Sequence, residues 1–498
     1  MFFTTTFMIR TFITLVFLSV NTYLFAGYEI TENCKDAQML MMDIKLDKAK
    51  RLLADELKRN PENHYALYLE QTCYAYAMLI NGSEDDYEAF LESYEKKRDI
   101  MDGRFTQSPY YLSCKSEMEM QAGMFNIIYG SEFSGVNKMY RAYKHVYENL
   151  DKFPAFKPSL MLDGFFNVAM SNLPPFVKWV TSFFGVSSDF DYGVKLLNSL
   201  YETQKNIKGA NAQTALFVIF AAKINKTPEM VYPFTQNLDS NIANLFIFQY
   251  FKANIEYRTG RNDQALNSLK QIDINSHPEA KILYHYLKGK ALLRKLDDGA
   301  GYHIRQYLKL LKKQEYFKEM TYNLALFELL NGNRNQYDKL CEVVQEEGAE
   351  INERDREALY DATLDYSPDV TLIKARLLLD GGYLNRFKEV LDGYDANNRK
   401  LPYQLEYYLL SGRYEMTKGN IPLAVDYFKT VIKKGKETDY YFASDAALKL
   451  GTIYENDTDL EMAKKYYKLA ADLYESDFYE YIDDKAAKGL LRIKQKQP

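Results

Sequence analysis

The chain has 498 residues, 47% hydrophobic and 26% charged, with a formal net charge of −5. That composition excludes a disordered chain. Its 63 Lys and Arg are dispersed among 68 Asp and Glu and build no basic face, so nucleic acid is not an expected partner.

The chain opens with "MFFTTTFMIRTFITLVFLSVNTYLFAGYEI", in which Arg10 precedes an apolar run from Thr11 to Ala26. A positive residue, an apolar stretch and a small residue, in that order, make a secretory signal. Residues 1–26 are therefore expected to direct export, to the periplasm or the envelope. The alternative is an uncleaved anchor, although the run is short for a span of about 20 residues. Four cysteines follow, Cys34, Cys73, Cys114 and Cys341, none in a CxxC pair. No metal framework is indicated, and buried thiols are the simpler expectation, though an exported chain could pair Cys34, Cys73 and Cys114.

Residues 27–154 read as an N-terminal helical block. Beyond residue 44 apolar residues recur at i, i+3, i+4 and i+7, the signature of one buried helix face. One helix is expected to run to Lys58, "NPEN" to break it, and another to begin near Asn63. Alternating β-branched runs are missing, so no strand is predicted.

Residues 155–215 interrupt the pattern. Pro174 and Pro175 end the helix carrying "FFNVAM", and "FVKWVTSFFG" then reads as a short amphipathic helix closed by Gly185. "SSDFDYGVKLL" starts another helix, with Ser188 or Asp189 as N-cap. Trp179, Phe183 and Phe184 are expected to form a buried wedge. Their alternative is a surface segment touching a membrane or a partner, although Lys178 supplies little basic rim.

Gly164, Leu173, Pro174, Pro175, Phe184, Gly185, Asp189, Gly193 and Leu196 stand in the order of a family signature. On these residues the chain resembles the Iml2 and tetratricopeptide-repeat-39 family, from about residue 45 onward and most specifically over 160–197. The resemblance implies an all-helical repeat protein without a catalytic site. It implies an interaction protein, in a family linked in part to the mitochondrial outer membrane, lipid droplets and the clearing of misfolded inclusions. The leader-like N-terminus departs from that cytosolic setting.

Residues 216–498 read as a repeat array. In "SDAALKLGTIYENDTDLEMAKKYYKLAADLY", Leu450, Gly451, Tyr454, Ala463, Tyr467 and Ala470 resemble the offsets of the 34-residue tetratricopeptide repeat. Gly451 and Ala463 are expected where two helices of a hairpin cross, since small side chains permit a close approach. Gly412, Ala424 and Phe428 repeat the register, as do Ala253, Ala265 and Leu269. Gly289 with Gly301 keeps it too, and the unit of Ala375 is looser, because Phe387 replaces the second small residue. The expected fold is all-α, a tetratricopeptide-like helical-hairpin solenoid.

No catalytic motif, cofactor motif or metal set appears among His64, His145, His277, His285 and His303 or elsewhere. His277 and His285 lie two helical turns apart but lack a third ligand, so packing roles are expected. Acidic runs such as "SEDDYEAFLE" read as solvated helix faces. The first helices of the two best hairpins would offer Glu406, Arg413, Met416 and Thr417, then Asp445, Thr452, Glu455 and Asn456 as a groove for a protein or peptide. The expected function is a noncatalytic scaffold. The rivals are a surface nutrient- or glycan-binding repeat protein, disfavoured by the single tryptophan and absent lipid-attachment cysteine, and a lipid-surface adaptor acting through residues 173–185.

Overall fold

The structure is a computed structural model that describes residues 27–171, 188–224, 228–350, 352–473 and 480–496. The leader-like residues 1–26 and Trp179, Phe183 and Phe184 lie outside the described residues. Among the described residues there are helices and turns but no strand. The chain is an all-α helical-repeat protein. It divides into two compact units, one of residues up to Ile255 with Gln271–Lys281, the other of Glu256–Lys270 with Ile282 onward.

The first unit carries α1 (Glu32–Met42), α2 (Leu46–Arg59), α3 (His64–Asn81), α4 (Glu84–Met101), α5 (Pro109–Tyr129) and α6 (Glu132–Lys152). It continues with α7 (Lys157–Ser171), α8 (Phe190–Gln204), α9 (Ala210–Ile224), α10 (Pro228–Gln236), α11 (Ser240–Ala243) and most of α12 (Phe246–Arg258). Local chemistry sets the starts. The side chains of Thr31, Asn63, Ser83, Ser108, Ser131 and Asp189 each accept a backbone N–H that the first turn would leave unpaired. Asp189 rather than Ser188 caps α8, through Tyr192 N–H at 3.0 Å. The "NPEN" break ends α2 at Arg59, and Asn63 caps α3.

Helix pairs in this unit meet backbone to backbone. A Cβ added to Gly135 on α6 would lie 2.7 Å from the Gly123 carbonyl oxygen on α5. One added to Gly193 on α8 would lie 2.6 Å from the Gly164 oxygen on α7. Only glycine tolerates such contact. Met161, Leu162, Phe166, Leu197, Leu216 and Phe248 fill the core beside the second crossing.

The second unit carries α13 (Asn262–Lys270), α14 (Lys281–Lys295), α15 (Ala300–Leu310), α16 (Phe317–Leu330), α17 (Arg334–Glu346), α18 (Glu353–Thr363), α19 (Val370–Asp380) and α20 (Leu384–Leu391). It ends with α21 (Leu401–Thr417), α22 (Ile421–Gly435), α23 (Phe442–Asn456), α24 (Leu460–Asp472) and α25 (Glu480–Lys496). Helices α16 and α17, α19 and α20, α21 and α22, and α23 and α24 pack as pairs, with α18 as an extra helix packed on α16. Pro422 sits in the first turn of α22, where its missing N–H costs no hydrogen bond.

At the hairpin crossings a glycine faces a ring. A Cβ on Gly451 would lie 2.6 Å from the Tyr467 ring, and one on Gly412 would lie 2.6 Å from Phe428. Ala463 and Ala424 are fully buried beside them. Tyr467 is wedged from both sides, because a Cβ on Gly489 of α25 would lie 2.5 Å from the same ring. The four cysteines are separate buried thiols.

Overpacking these notches is costly. Gly451→Ala should destabilise by about 1–3 kcal/mol and Ala463→Arg by at least as much, whereas Lys464→Arg should cost under about 0.5 kcal/mol. Denaturant unfolding of the three variants checks this, and equal losses at 463 and 464 would contradict the register.

Candidate functional site

The small residue at each crossing sets a register for the first helix of the hairpin. Six positions before it stand Glu319, Asp369, Glu406 and Asp445, counted from Ala325, Ala375, Gly412 and Gly451. One position after it stand Lys290, Arg376 and Arg413, counted from Gly289, Ala375 and Gly412. The two positions are seven residues apart, about two helical turns, and so share a face. The cation of one hairpin therefore meets the acid of the next.

Lys290 pairs with Glu319, which also accepts the Tyr286 hydroxyl at 2.8 Å. Burial alone would raise the Glu319 carboxyl, but Lys290 and Arg354 hold it below its ordinary value. Asp369 follows a hairpin with Leu326 in the cation position and is used otherwise: it caps α19 and accepts the Tyr394 hydroxyl at 3.2 Å. Arg376 and Arg413 face Glu406, and Arg413 also faces Asp445.

In this part of the unit Arg376, Arg413 and Lys449 each stand within 4 Å of an acid other than Glu406, although Glu406 acts on Arg376 more strongly than Asp361 does. Arg413 donates to Asp380, Lys449 lies 3.4 Å from Asp445, and Arg376 lies 3.8 Å from Asp361. Glu406 forms no ion pair among the described residues. It is 7% exposed, and its Oε1 is buried with no hydrogen-bond partner. Burial pushes its carboxyl up to about 7, with Arg376 opposing and Asp361 and Asp369 adding to the rise. Arg376 and Arg413 keep 22% and 29% of their side chains accessible, so water reaches this face.

Tyrosines surround the charges. Burial raises the hydroxyls of Tyr366 and Tyr441, and Glu406 adds to both rises. Tyr360 stands edge-on to Tyr441, with ring centroids 6.1 Å apart, and Tyr366 stands edge-on to Tyr403 at 5.6 Å. This is a preformed set of ion pairs, donors and ring faces that suits recognition of a polar segment.

Of the eight groove residues expected from sequence, the structure brings Glu406, Arg413 and Asp445 together here. Met416 instead packs against the core around Leu409 and Phe428. Glu455 is held by the last helix: Arg492 donates to its two oxygens at 2.9 and 2.7 Å, and the Tyr467 hydroxyl donates at 2.8 Å. Thr417 and Thr452 donate to carbonyls in their own helices, those of Arg413 and Leu448, and Asn456 is the exposed last residue of α23. Sequence reasoning missed Asp361, Arg376, Asp380, Tyr366 and Tyr441. For Arg376 a signal existed, because it stands to Ala375 as Arg413 stands to Gly412.

The buried imidazole nitrogens of His64 and His145 in the first unit also lack a hydrogen-bond partner among the described residues, whereas Glu117, His277, His285 and His303 are partnered. In the first unit, burial pushes the Glu117 carboxyl up to about 7, but Tyr68 donates to it, as does Gln213 at 3.2 Å. His277 bridges the Asp273 carbonyl at 2.8 Å and Asp43 at 2.9 Å, and the Nδ1 atoms of His285 and His303 stand 2.8 Å apart. Among the described residues no group of three or more His, Cys, Asp and Glu is placed to hold a metal ion, and no helix is long and apolar enough to cross a membrane.

No family model and no curated protein matches the chain. Among solved structures 43 chains match. One is a human IFIT1 dimer with PPP-AAAA, 15% identical, covering 82% of this chain and 95% of that one, with a TM-score of 0.34. At that level the likeness carries nothing about site or partner.

Three buried carboxyls and the half-buried Glu357 predict the pH response. The folded values of Glu117, Glu357 and Glu406 lie near about 7 and that of Asp355 near about 6. In the unfolded chain they ionise near 4, so their contribution is complete at low pH and lost as pH rises through the folded values. The melting temperature should fall between pH 5 and pH 8. Glu406→Gln should raise it at pH 8 by about 2–4 °C and change it far less at pH 5, as measured by calorimetry at both values.

Proposed function

We propose that the protein is a noncatalytic helical-repeat scaffold, acting after export, that holds a segment of a protein or peptide partner on the charged face of its second unit. The observation that carries this reading is one face with three cation–acid pairs, a buried acid without an ion pair among the described residues, and tyrosine rings, on which the repeat register places Glu406, Asp445, Arg376 and Arg413. Preformed polar groups of this kind bind with little ordering cost and favour directional hydrogen bonds over apolar burial. A peptide backbone supplies such donors and acceptors at regular intervals.

The resemblance of residues 160–197 to the Iml2 and tetratricopeptide-repeat-39 family implies the same class of function. The leader-like segment from Met1 to Ala26 supports export. The reading of residues 173–185 as a lipid-contacting element has no described residue to support it.

Selection of a random twelve-residue peptide library on the full chain, with a glycan array in parallel, tests the proposal. Peptides should be enriched on the wild-type chain, and their affinity should fall about tenfold or more on Arg376→Gln, while Lys429→Glu on an exposed helix face leaves it unchanged. Enrichment that ignores Arg376→Gln would contradict the proposal. So would a sugar response with no peptide enrichment, which would favour the nutrient-binding class.

A further inference from the structure

We infer that this face takes a lysine or arginine side chain of the partner, seated against Glu406 beside Tyr366 and Tyr441. This rests on reading the face as a peptide-binding surface, and it names the chemistry the peptide must carry.

Arg376, Arg413, Asp361 and Asp369 face Glu406, and Asp380, Asp445 and Lys449 stand one step further out, on Arg413 and Asp445. On α21, the helix of Glu406, stands Arg413. On α19 stand Arg376 and Asp380, with Asp369 at that helix's N-cap. From α18 and the segment after it come Asp361 and Tyr366, and from α23 and its N-cap come Asp445, Lys449 and Tyr441. Arg413, Lys449 and Arg376 are matched to Asp380, Asp445 and Asp361. What remains is one carboxyl, more than nine-tenths buried, with an oxygen that no donor reaches.

An unpartnered buried acceptor is costly, and the cost is met either by a proton or by a donor from outside. A lysine ammonium or an arginine guanidinium supplies both the donor and the missing positive charge. Electron-rich ring faces stabilise the same cation, as they do where Arg294 stands 3.6 Å from the Tyr257 ring centre elsewhere in this unit. An acidic side chain would instead enter among Asp361, Asp369, Asp380, Glu406 and Asp445. The net charge of −5 also draws basic segments toward the chain rather than acidic ones.

The bound cation has a thermodynamic signature. In the free chain the carboxyl keeps its proton below about 7. Beside a cation it ionises, so binding at pH 6 releases a proton and the affinity rises about tenfold per pH unit up to about 7.

The experiment uses the peptides enriched on the full chain. They should share a lysine or arginine at one position. In a synthetic peptide, replacing that residue by norleucine should weaken binding about tenfold or more on the wild-type chain. On Glu406→Gln, a near-isosteric change, the lysine and norleucine peptides should bind alike. Calorimetry at pH 6 in two buffers of different ionisation enthalpy should show release of about one proton on wild type and none on Glu406→Gln. Enriched peptides without a shared basic residue, or with a shared acidic one, would overturn the inference while leaving the peptide-binding reading intact. A lysine preference that survives Glu406→Gln would overturn it too. The absence of any enriched peptide would remove the underlying reading and the inference together.

Discussion

A glycine that makes room for a ring on the facing helix fixes everything else in the second unit. Gly451 admits Tyr467 and Gly412 admits Phe428, so each pair of helices can meet in one register. Once that register is set, the helical period decides which residues point the same way. Acids six positions before the small residue and cations one position after it then line up on one face. The same economy holds in the first unit, where Gly123 meets Gly135 and Gly164 meets Gly193 through their backbones.

The face that results is an unusual choice for stability alone. Taking charges out of water costs several kcal/mol per ion, and a half-buried pair recovers that cost only with good geometry. Arg376 and Asp361 stand 3.8 Å apart, which is far from ideal. Glu406 has no pair at all among the described residues. Apolar residues at these positions would pack more cheaply, as they do around Leu405 and Leu409. The charges make physical sense as a surface prepared for something else. The contrast with Glu455 is instructive, because that carboxylate is fully engaged by Arg492 and Tyr467 and serves to fasten the last helix.

Much of this was legible in the sequence, and the limits have physical causes. The strongest repeats announced themselves because Gly451, Ala463 and Tyr467 each do a job that few residues can do. The Gly123 and Gly135 crossing, twelve apart like Gly451 and Ala463, went unread because its surroundings lack the larger residues that complete the pattern. Arg376 was missed because its hairpin carries Phe387 in place of a second small residue. Asp361, Tyr366 and Tyr441 lie on an extra helix, a connection and a helix start, positions for which a repeat template makes no statement. The engagement of Glu455 depends on Arg492, thirty-seven residues away, a pairing that periodicity cannot reveal. His277 and His285 looked like a pair along one helix, yet His285 meets His303 because the hairpin folds back.

The central claim is that Glu406 is a buried acid left without a cation. The most direct test is titration of its carboxyl by ¹³C NMR, assigned by difference against Glu406→Gln. The account predicts a midpoint near about 7 in the free chain. A midpoint in the ordinary carboxyl range, near about 4.5, would show that a partner group within the chain already satisfies it, and would contradict the account.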